Sequence, residues 1–220
     1  MRIKAIIFDL DGTLIDSIPD IADAANRVMA NHDFPVHDPS CYVEWIGNGA
    51  LKLLQRAVPV DIRDKDLNEI LKEYLEIHTG NCTNKTRLYT GIDKILNHAN
   101  EQNISISILT NKPHVVTRKV CEKYLSNWKF DFILGQMQGF PKKPDPGRAM
   151  EIAGNLNFST DEMLFIGDSD TDMKTGVAAG MVPVGVTWGY GSRDSLISAG
   201  TKHLMNDTKE LLEFLKFNNV

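Results

Sequence analysis

This chain of 220 residues is poor in cysteine, holding only Cys41, Cys82 and Cys121. An odd count with no Cys-x-x-Cys spacing argues against a disulfide scaffold or a cysteine-built zinc site. It suits a reducing compartment, so a cytoplasmic location is expected. Long hydrophobic runs are also missing. Nothing approaches the ~18 apolar residues of a membrane span, and the apolar run after Lys4 is too short for the core of a signal peptide. Positive charge is not in excess either. Lys and Arg total 24 against 29 Asp and Glu, a formal net charge of −5. That balance argues against nucleic acid as a partner, but not against a locally basic pocket for a small anion. No internal repeat or low-complexity segment is visible.

What is present is an ordinary globular composition, 42% hydrophobic and 24% charged, long enough for one domain with a large insertion. Ala5 to Phe8 reads as a buried strand. Ser17 and Asp20 form a capping-box pattern with Pro19 in the first turn, which predicts a helix carrying Ile18, Ile21, Ala25, Val28 and Met29 on one face. Pro35 and Pro39 read as breaks. A turn at Gly47-Asn48-Gly49 precedes a second helix with Leu51, Leu53 and Leu54, and a third runs from about Asp64 to His78. Residues from Gly80 to Thr86 read as a linker.

From there the pattern alternates. Helices are expected near Ile92–Ala99, Pro113–Leu125, Pro146–Leu156 (capped by Asp145) and Asp170–Ala179 (closed by Gly180). Strands are expected at Ile104–Leu109, Phe130–Leu134, Met163–Ile166 and Val182–Val186, the last broken by Pro183. His203–Met205 suits a short edge strand before a final helix, Asp207–Phe217. Alternation of this kind predicts an α/β fold: a Rossmann-like parallel sheet core, residues 1–14 and 86–220, with an inserted all-helical cap, residues 15–85. His78 and His98 are expected on ordinary helix surfaces.

In such a sheet, ligands bind at the carboxyl ends of the strands. The first strand ends in Asp9-Leu10-Asp11-Gly12-Thr13 and the second in Thr110-Asn111. Lys143 follows the third, and Gly167-Asp168 with Asp172 follows the fourth. Carboxylates, a hydroxyl, an amide and a lysine are the parts needed to hold Mg²⁺ and a phosphoryl group. Taken alone, Thr110-Asn111 also suits a helix cap, Lys143 a solvated loop charge, and Asp170 a cap without catalytic role.

The order Asp-x-Asp-Gly-Thr at Asp9 to Thr13, Thr110, Lys143 before Pro144, then Gly-Asp-x-x-x-Asp at Gly167 to Asp172, resembles the phosphatase branch of the haloacid dehalogenase superfamily. The resemblance covers the whole chain and the position of the inserted cap. It implies a Mg²⁺-dependent phosphomonoester hydrolase, with Asp9 as nucleophile and Asp11 as general acid and base. It implies metal ligation by Asp9, the Asp11 backbone carbonyl and Asp168, with Asp172 and Thr13 in support. It implies phosphate contacts from Thr110, Asn111, Lys143 and the Gly12 amide. Trp45 to Ala50, Leu53, Arg56-Ala57 and Trp188-Gly189-Tyr190-Gly191 are similar to bacterial phosphoglycolate phosphatases, which makes 2-phosphoglycolate the first substrate to expect. Pyrophosphate, sugar phosphates and nucleotides remain alternatives, as does a β-phosphoglucomutase-like transfer. A non-catalytic phospholigand-binding protein would be expected to lack the nucleophile or a metal ligand, and this chain keeps both. The expected partner is a small phosphorylated metabolite, the expected state monomer or homodimer.

Overall fold

The computed structural model describes residues 3–62 and 64–218. Strand β1 (Ala5–Phe8) is followed by β2 (Ile15–Asp16) and four helices, α1 (Ile18–Asn31), α2 (Pro39–Trp45), α3 (Ala50–Ala57) and α4 (Asp64–Asn81). The chain then runs through β3 (Arg87–Leu88), α5 (Ile92–Glu101), β4 (Ser105–Pro113), α6 (His114–Tyr124), β5 (Phe132–Gln136) and α7 (Gly147–Leu156). It ends with β6 (Met163–Gly167), α8 (Asp170–Ala178), β7 (Val182–Val186), α9 (Arg193–Ser198), β8 (His203–Met205) and α10 (Thr208–Phe217). Six strands form one parallel sheet in the order β5-β4-β1-β6-β7-β8.

Alternate residues of β1 serve opposite faces of this sheet. Ile6 and Phe8 pack with Ile92, Val116 and Leu211, whereas Ala5 and Ile7 pack with Ala149, Ile152 and Phe165. A strand buried on both faces can be apolar throughout, which is why β1 reads as an unbroken run. Each large side chain buried in this way contributes about 1.5–3 kcal/mol. Helices α1–α4 have a separate core, built from residues such as Val28, Met29, Tyr42, Leu54 and Ile70. Among the described residues, no helix is long and apolar enough to cross a membrane.

Several local expectations are corrected. Pro39 opens α2 instead of breaking the chain: it sits in the first turn, where no amide hydrogen bond is lost, and Asp38 accepts from the Ser40 amide at 2.9 Å. The Ser17–Asp20 capping box does not form. The Ser17 and Ile18 amides donate instead to the Tyr190 hydroxyl, at 2.9 and 3.3 Å. The fully buried Asp20 carboxylate accepts from the Lys85 and Thr86 amides, each at 2.9 Å, and from Thr86 Oγ1 at 2.8 Å. Beside it, β2 pairs with β3 antiparallel, Ile15 opposite Leu88, which no sequence pattern announced. Strand β4 runs on to Pro113 through a register shift, so α6 begins at His114. The N-cap of α7 is Pro146, with Asp145 accepting from the Gly147 amide, and the N-cap of α8 is Ser169. Pro183 does not interrupt β7. Its carbonyl accepts from Lys202 on the β8 side, where β8 pairs only from His203 onward, so its missing N–H costs no sheet bond.

Candidate active site

β1 lies between β4 and β6, with Phe8 opposite both Ile108 and Ile166, so the residues that follow each strand converge at one edge of the sheet. Asp9 extends the ladder by donating its amide to Ile166 O at 2.9 Å. Its carboxylate meets those of Asp168 and Asp172, with one oxygen of each within 4.8 Å of the others and all three residues buried. Lys143 threads into this cluster from the loop before α7. Its Nζ donates to Asp172 Oδ1 at 2.6 Å and lies 2.8 Å from Asp9 Oδ1 as an ion pair, although that oxygen accepts no well-aligned hydrogen bond.

The start of α8 fixes Asp172. Ser169 donates its amide and hydroxyl to Asp172 Oδ2, at 3.0 and 2.6 Å, and this capping box leaves Oδ1 for Lys143. Asp168 is fixed from two other sides, by Thr13 Oγ1 at 3.0 Å and by the Tyr190 amide at 2.8 Å. Glycines make room for it. A Cβ on Gly12, where φ is 85°, would lie 2.3 Å from Asp168 Oδ2, and one on Gly189 would lie 2.4 Å from Asp168 Cβ.

Crowding three carboxylates has an electrostatic cost. Burial, then the charge of Asp172, pushes the Asp9 carboxyl up to about 6, against the opposing pull of Lys143. Burial, then Asp172 and Asp9, pushes Asp168 up to about 8. Burial alone would lower the Lys143 ammonium, but Asp172 and Asp9 hold it above the ordinary lysine range. Two carboxylates short of positive charge, with a buried Asp9 oxygen lacking a proper donor, make a donor set that fits a hard divalent cation such as Mg²⁺.

Asp11 turns away from this cluster. Its carboxylate accepts from Lys112 Nζ at 2.9 Å and from Ser17 Oγ at 2.5 Å. Thr110 is buried, and its Oγ1 accepts from the Lys112 amide at 3.3 Å. The Gly12 amide donates to Ile15 O at 2.9 Å, and the absence of a Cβ there leaves space for Asp168. Asn111 lines the cavity with Thr110, and its side chain ties two loops. It donates to Gly47 O at 3.0 Å and Lys143 O at 3.1 Å, and accepts from the Lys143 amide at 3.0 Å.

These groups line a cavity of about 260 Å³. Asp9, Asp11, Thr110, Lys112, Lys143 and Asp168 form its sheet side, and Ile21, Val43, Ile46, Leu53, Tyr74 and His78 face them from the helices. Read from the sequence, Lys112 has no role, and Ser17, Tyr190 and His78 have roles other than lining or framing this site. Lys112 directly follows Thr110-Asn111, a signal that was available. His78 is only 1% exposed, not on a helix surface as expected, and its spacing four residues after Tyr74 on the apolar face of α4 was the clue.

The model of the family described as haloacid dehalogenase-like hydrolase matches residues 6–186. A phosphoglycolate phosphatase of Haemophilus influenzae is 30% identical over 225 aligned residues, covering 97% of this chain and 99% of its own length. One from Colwellia psychrerythraea is 32% identical, covering 97% of each. A crystal structure from Haemophilus somnus 129PT, described as a predicted phosphoglycolate phosphatase, superposes with a TM-score of 0.90 at 27% identity, over 97% of this chain and 98% of that one. A parallel sheet with carboxylates at its central strand ends, matched along nearly the full length by these proteins, shows that the chain belongs to the haloacid dehalogenase-like hydrolases.

Proposed function

We propose that this phosphatase is Mg²⁺-dependent, works through an aspartyl-phosphate on Asp9, and takes 2-phosphoglycolate as its substrate. The observation that carries the reading is the placement of Asp9. It follows the central strand 2.8 Å from Lys143, clusters with Asp168, and lines a cavity sized for a small ester.

An Asp9 carboxylate oxygen attacks phosphorus opposite the ester oxygen, and the P–O bond to the alcohol breaks. Asp11 gives the departing alkoxide its proton, then takes one from the water that attacks the phosphorus of the acyl phosphate. Inorganic phosphate leaves and Asp9 returns to a carboxylate. Lys143 and Thr110 stand where phosphoryl oxygens carry developing charge. Lys112 starts out paired with an ionised Asp11; a phosphate monoester that enters as the monoanion competes for that ammonium and passes its own proton to the freed carboxylate, which then gives it to the leaving alkoxide. Mg²⁺, held by Asp9, Asp168 and the Asp11 backbone carbonyl, would neutralise charge on the phosphoryl oxygens.

Residues 15–85 serve as the cap, closing over the ester and excluding bulk water during phosphoryl transfer. Asn111 supports this arrangement because its one amide spans Gly47 of the helical segment and Lys143 of the site. The named activity of the relatives supports 2-phosphoglycolate, and so does a cavity of about 260 Å³, which suits a small leaving alcohol.

The test is phosphate release from 2-phosphoglycolate, sugar phosphates, nucleoside monophosphates and pyrophosphate, with Mg²⁺ and with EDTA. Mg²⁺-dependent release favouring 2-phosphoglycolate supports the full reading. Preference for another ester keeps the mechanism and discards the substrate. Release that persists in EDTA overturns the metal requirement.

A further inference from the structure

Helix α4 buries a side chain every four residues, at Ile70, Tyr74 and His78, as one face of a helix requires. Tyr74 and His78 line the cavity. Tyr74 is 3% exposed, yet its hydroxyl makes no hydrogen bond to a described residue and, unlike the ring nitrogens of His78, keeps accessible surface. Buried polar atoms are nearly always satisfied, so this free hydroxyl calls for an explanation. Its ring is not loose: it stacks on His78 with centroids 5.2 Å apart and planes 23° apart. Burial, then the Asp11 charge, raises the phenol above its ordinary range, so it stays protonated and can donate. Asp11 is also the group assigned to protonate the leaving oxygen, so the Tyr74 hydroxyl stands at the leaving-group end of the cavity.

The other side-chain donors lining the cavity are engaged elsewhere, assigned to the phosphoryl group, or exposed. Lys112 pairs with Asp11, Lys143 with Asp9 and Asp172, and the Asn111 amide with Gly47 and Lys143. The Asn48 amide has no partner among the described residues and Arg56 donates to Trp45 O, but both residues are exposed. Exposure decides between them and Tyr74. Water satisfies an exposed donor whether or not the ligand does, whereas a ligand that fills the cavity without an oxygen beside Tyr74 leaves a buried donor open.

We infer that Tyr74 is a specificity residue whose hydroxyl donates to a carboxylate oxygen on the alcohol portion of the ester, so that the cavity favours small carboxylate-bearing esters over alkyl phosphates of the same size. This rests on the cavity being the substrate site, as proposed above. Ile21, Val43, Ile46 and Leu53 wall the same space with apolar groups. They can pack against carbon but cannot tell a carboxylate from a methyl group in its favour, and a buried donor can.

The test is calorimetry with two phosphonates in the presence of Mg²⁺. One is 3-phosphonopropionate, which has CH₂ in place of the ester oxygen of 2-phosphoglycolate and cannot be hydrolysed. The other is propylphosphonate, which has a methyl group in place of the carboxylate. Tyr74→Phe removes the hydroxyl and keeps the ring stacked on His78. It is expected to raise the Kd of 3-phosphonopropionate by at least about tenfold and to change that of propylphosphonate by less than about threefold. Equal weakening of both ligands, or an unchanged Kd for 3-phosphonopropionate, overturns the assignment. So does a selectivity that Asn48→Ala abolishes and Tyr74→Phe keeps, which moves the contact to the exposed amide. Phosphate release by the unmodified protein is scored separately. Absent release with the selective binding kept overturns the hydrolytic reading and supports Tyr74, and failure of both phosphonates to bind the unmodified protein overturns both.

Discussion

Lys112 Nζ lies 2.9 Å from Asp11 Oδ1, with side chains only 3% and 10% exposed, so the carboxylate assigned to proton transfer begins the cycle inside an ion pair. Removing one member of a buried pair leaves the other uncompensated. Lys112→Met is therefore expected to lower kcat/KM by at least about tenfold, and Lys112→Arg to retain more of it. Wild-type kinetics in the Met variant would contradict any part for this lysine in handling the substrate charge.

Asp9→Asn is expected to reduce turnover by at least about a thousandfold. The fold should survive, since the substitution removes one charge from a crowded acidic cluster and leaves Lys143 its bond to Asp172. Thermal melting and phosphate release measured together check both halves. An active Asn variant would remove Asp9 from the nucleophile position.

The proposed metal site implies a directional pH dependence. Asp9 and Asp168 are held at about 6 and about 8, above the ordinary carboxylate value of 3.8 that the unfolded chain shows. Carboxyl groups raised on folding favour the folded state most below that unfolded value, and the benefit is lost as pH climbs through the folded values. Without metal, these two groups should therefore cost the protein stability between about pH 4 and 8. Mg²⁺ competes with the same protons, so its binding should tighten over that range. The difference in Tm between Mg²⁺ and EDTA samples should widen from pH 5 to 8. A difference independent of pH would rule out these carboxylates as ligands.

Tyr190 uses two groups for two tasks. Its amide donates to Asp168, while its hydroxyl accepts from Ser17 and Ile18 and donates to Asp16 Oδ1 at 2.9 Å. Tyr190→Phe should cost about 1–2 kcal/mol of stability in urea titrations, the range for a lost helix cap. Because the amide remains, Mg²⁺ affinity should change little. A parallel fall in affinity would mean that the hydroxyl also governs the metal ligand.

Much of the site could be read from the chain because strand ends carry the chemistry in parallel sheets, and the buried runs at Ala5–Phe8 and Met163–Ile166 are unmistakable. Asp9, Asp168 and Asp172 then fall together once β1 and β6 are neighbours. What resisted reading was the choice among partners for a polar side chain. No spacing announces that the Asn111 side chain ties Lys143 to Gly47, or that the Gly12 amide bonds Ile15. Ser17 and Asp20 had cap spacing, but longer-range acceptors and donors outcompeted the local bond. The burial of Lys112 and His78 resists reading because charged and polar residues are normally solvated, and only their place beside the cavity accounts for it.

The grip of Asp20 on Lys85 and Thr86, together with the Ile15–Leu88 pairing, bears on chain entropy. These contacts fasten the point where the polypeptide leaves the sheet to the point where it returns, so the ring of residues between them is closed locally. Doubling a flexible loop adds only about 0.6 kcal/mol to its closure cost. Tolerance to lengthening or exchange of the helices between these points is thus governed by whether the two fastenings survive, and only weakly by how many residues lie between them.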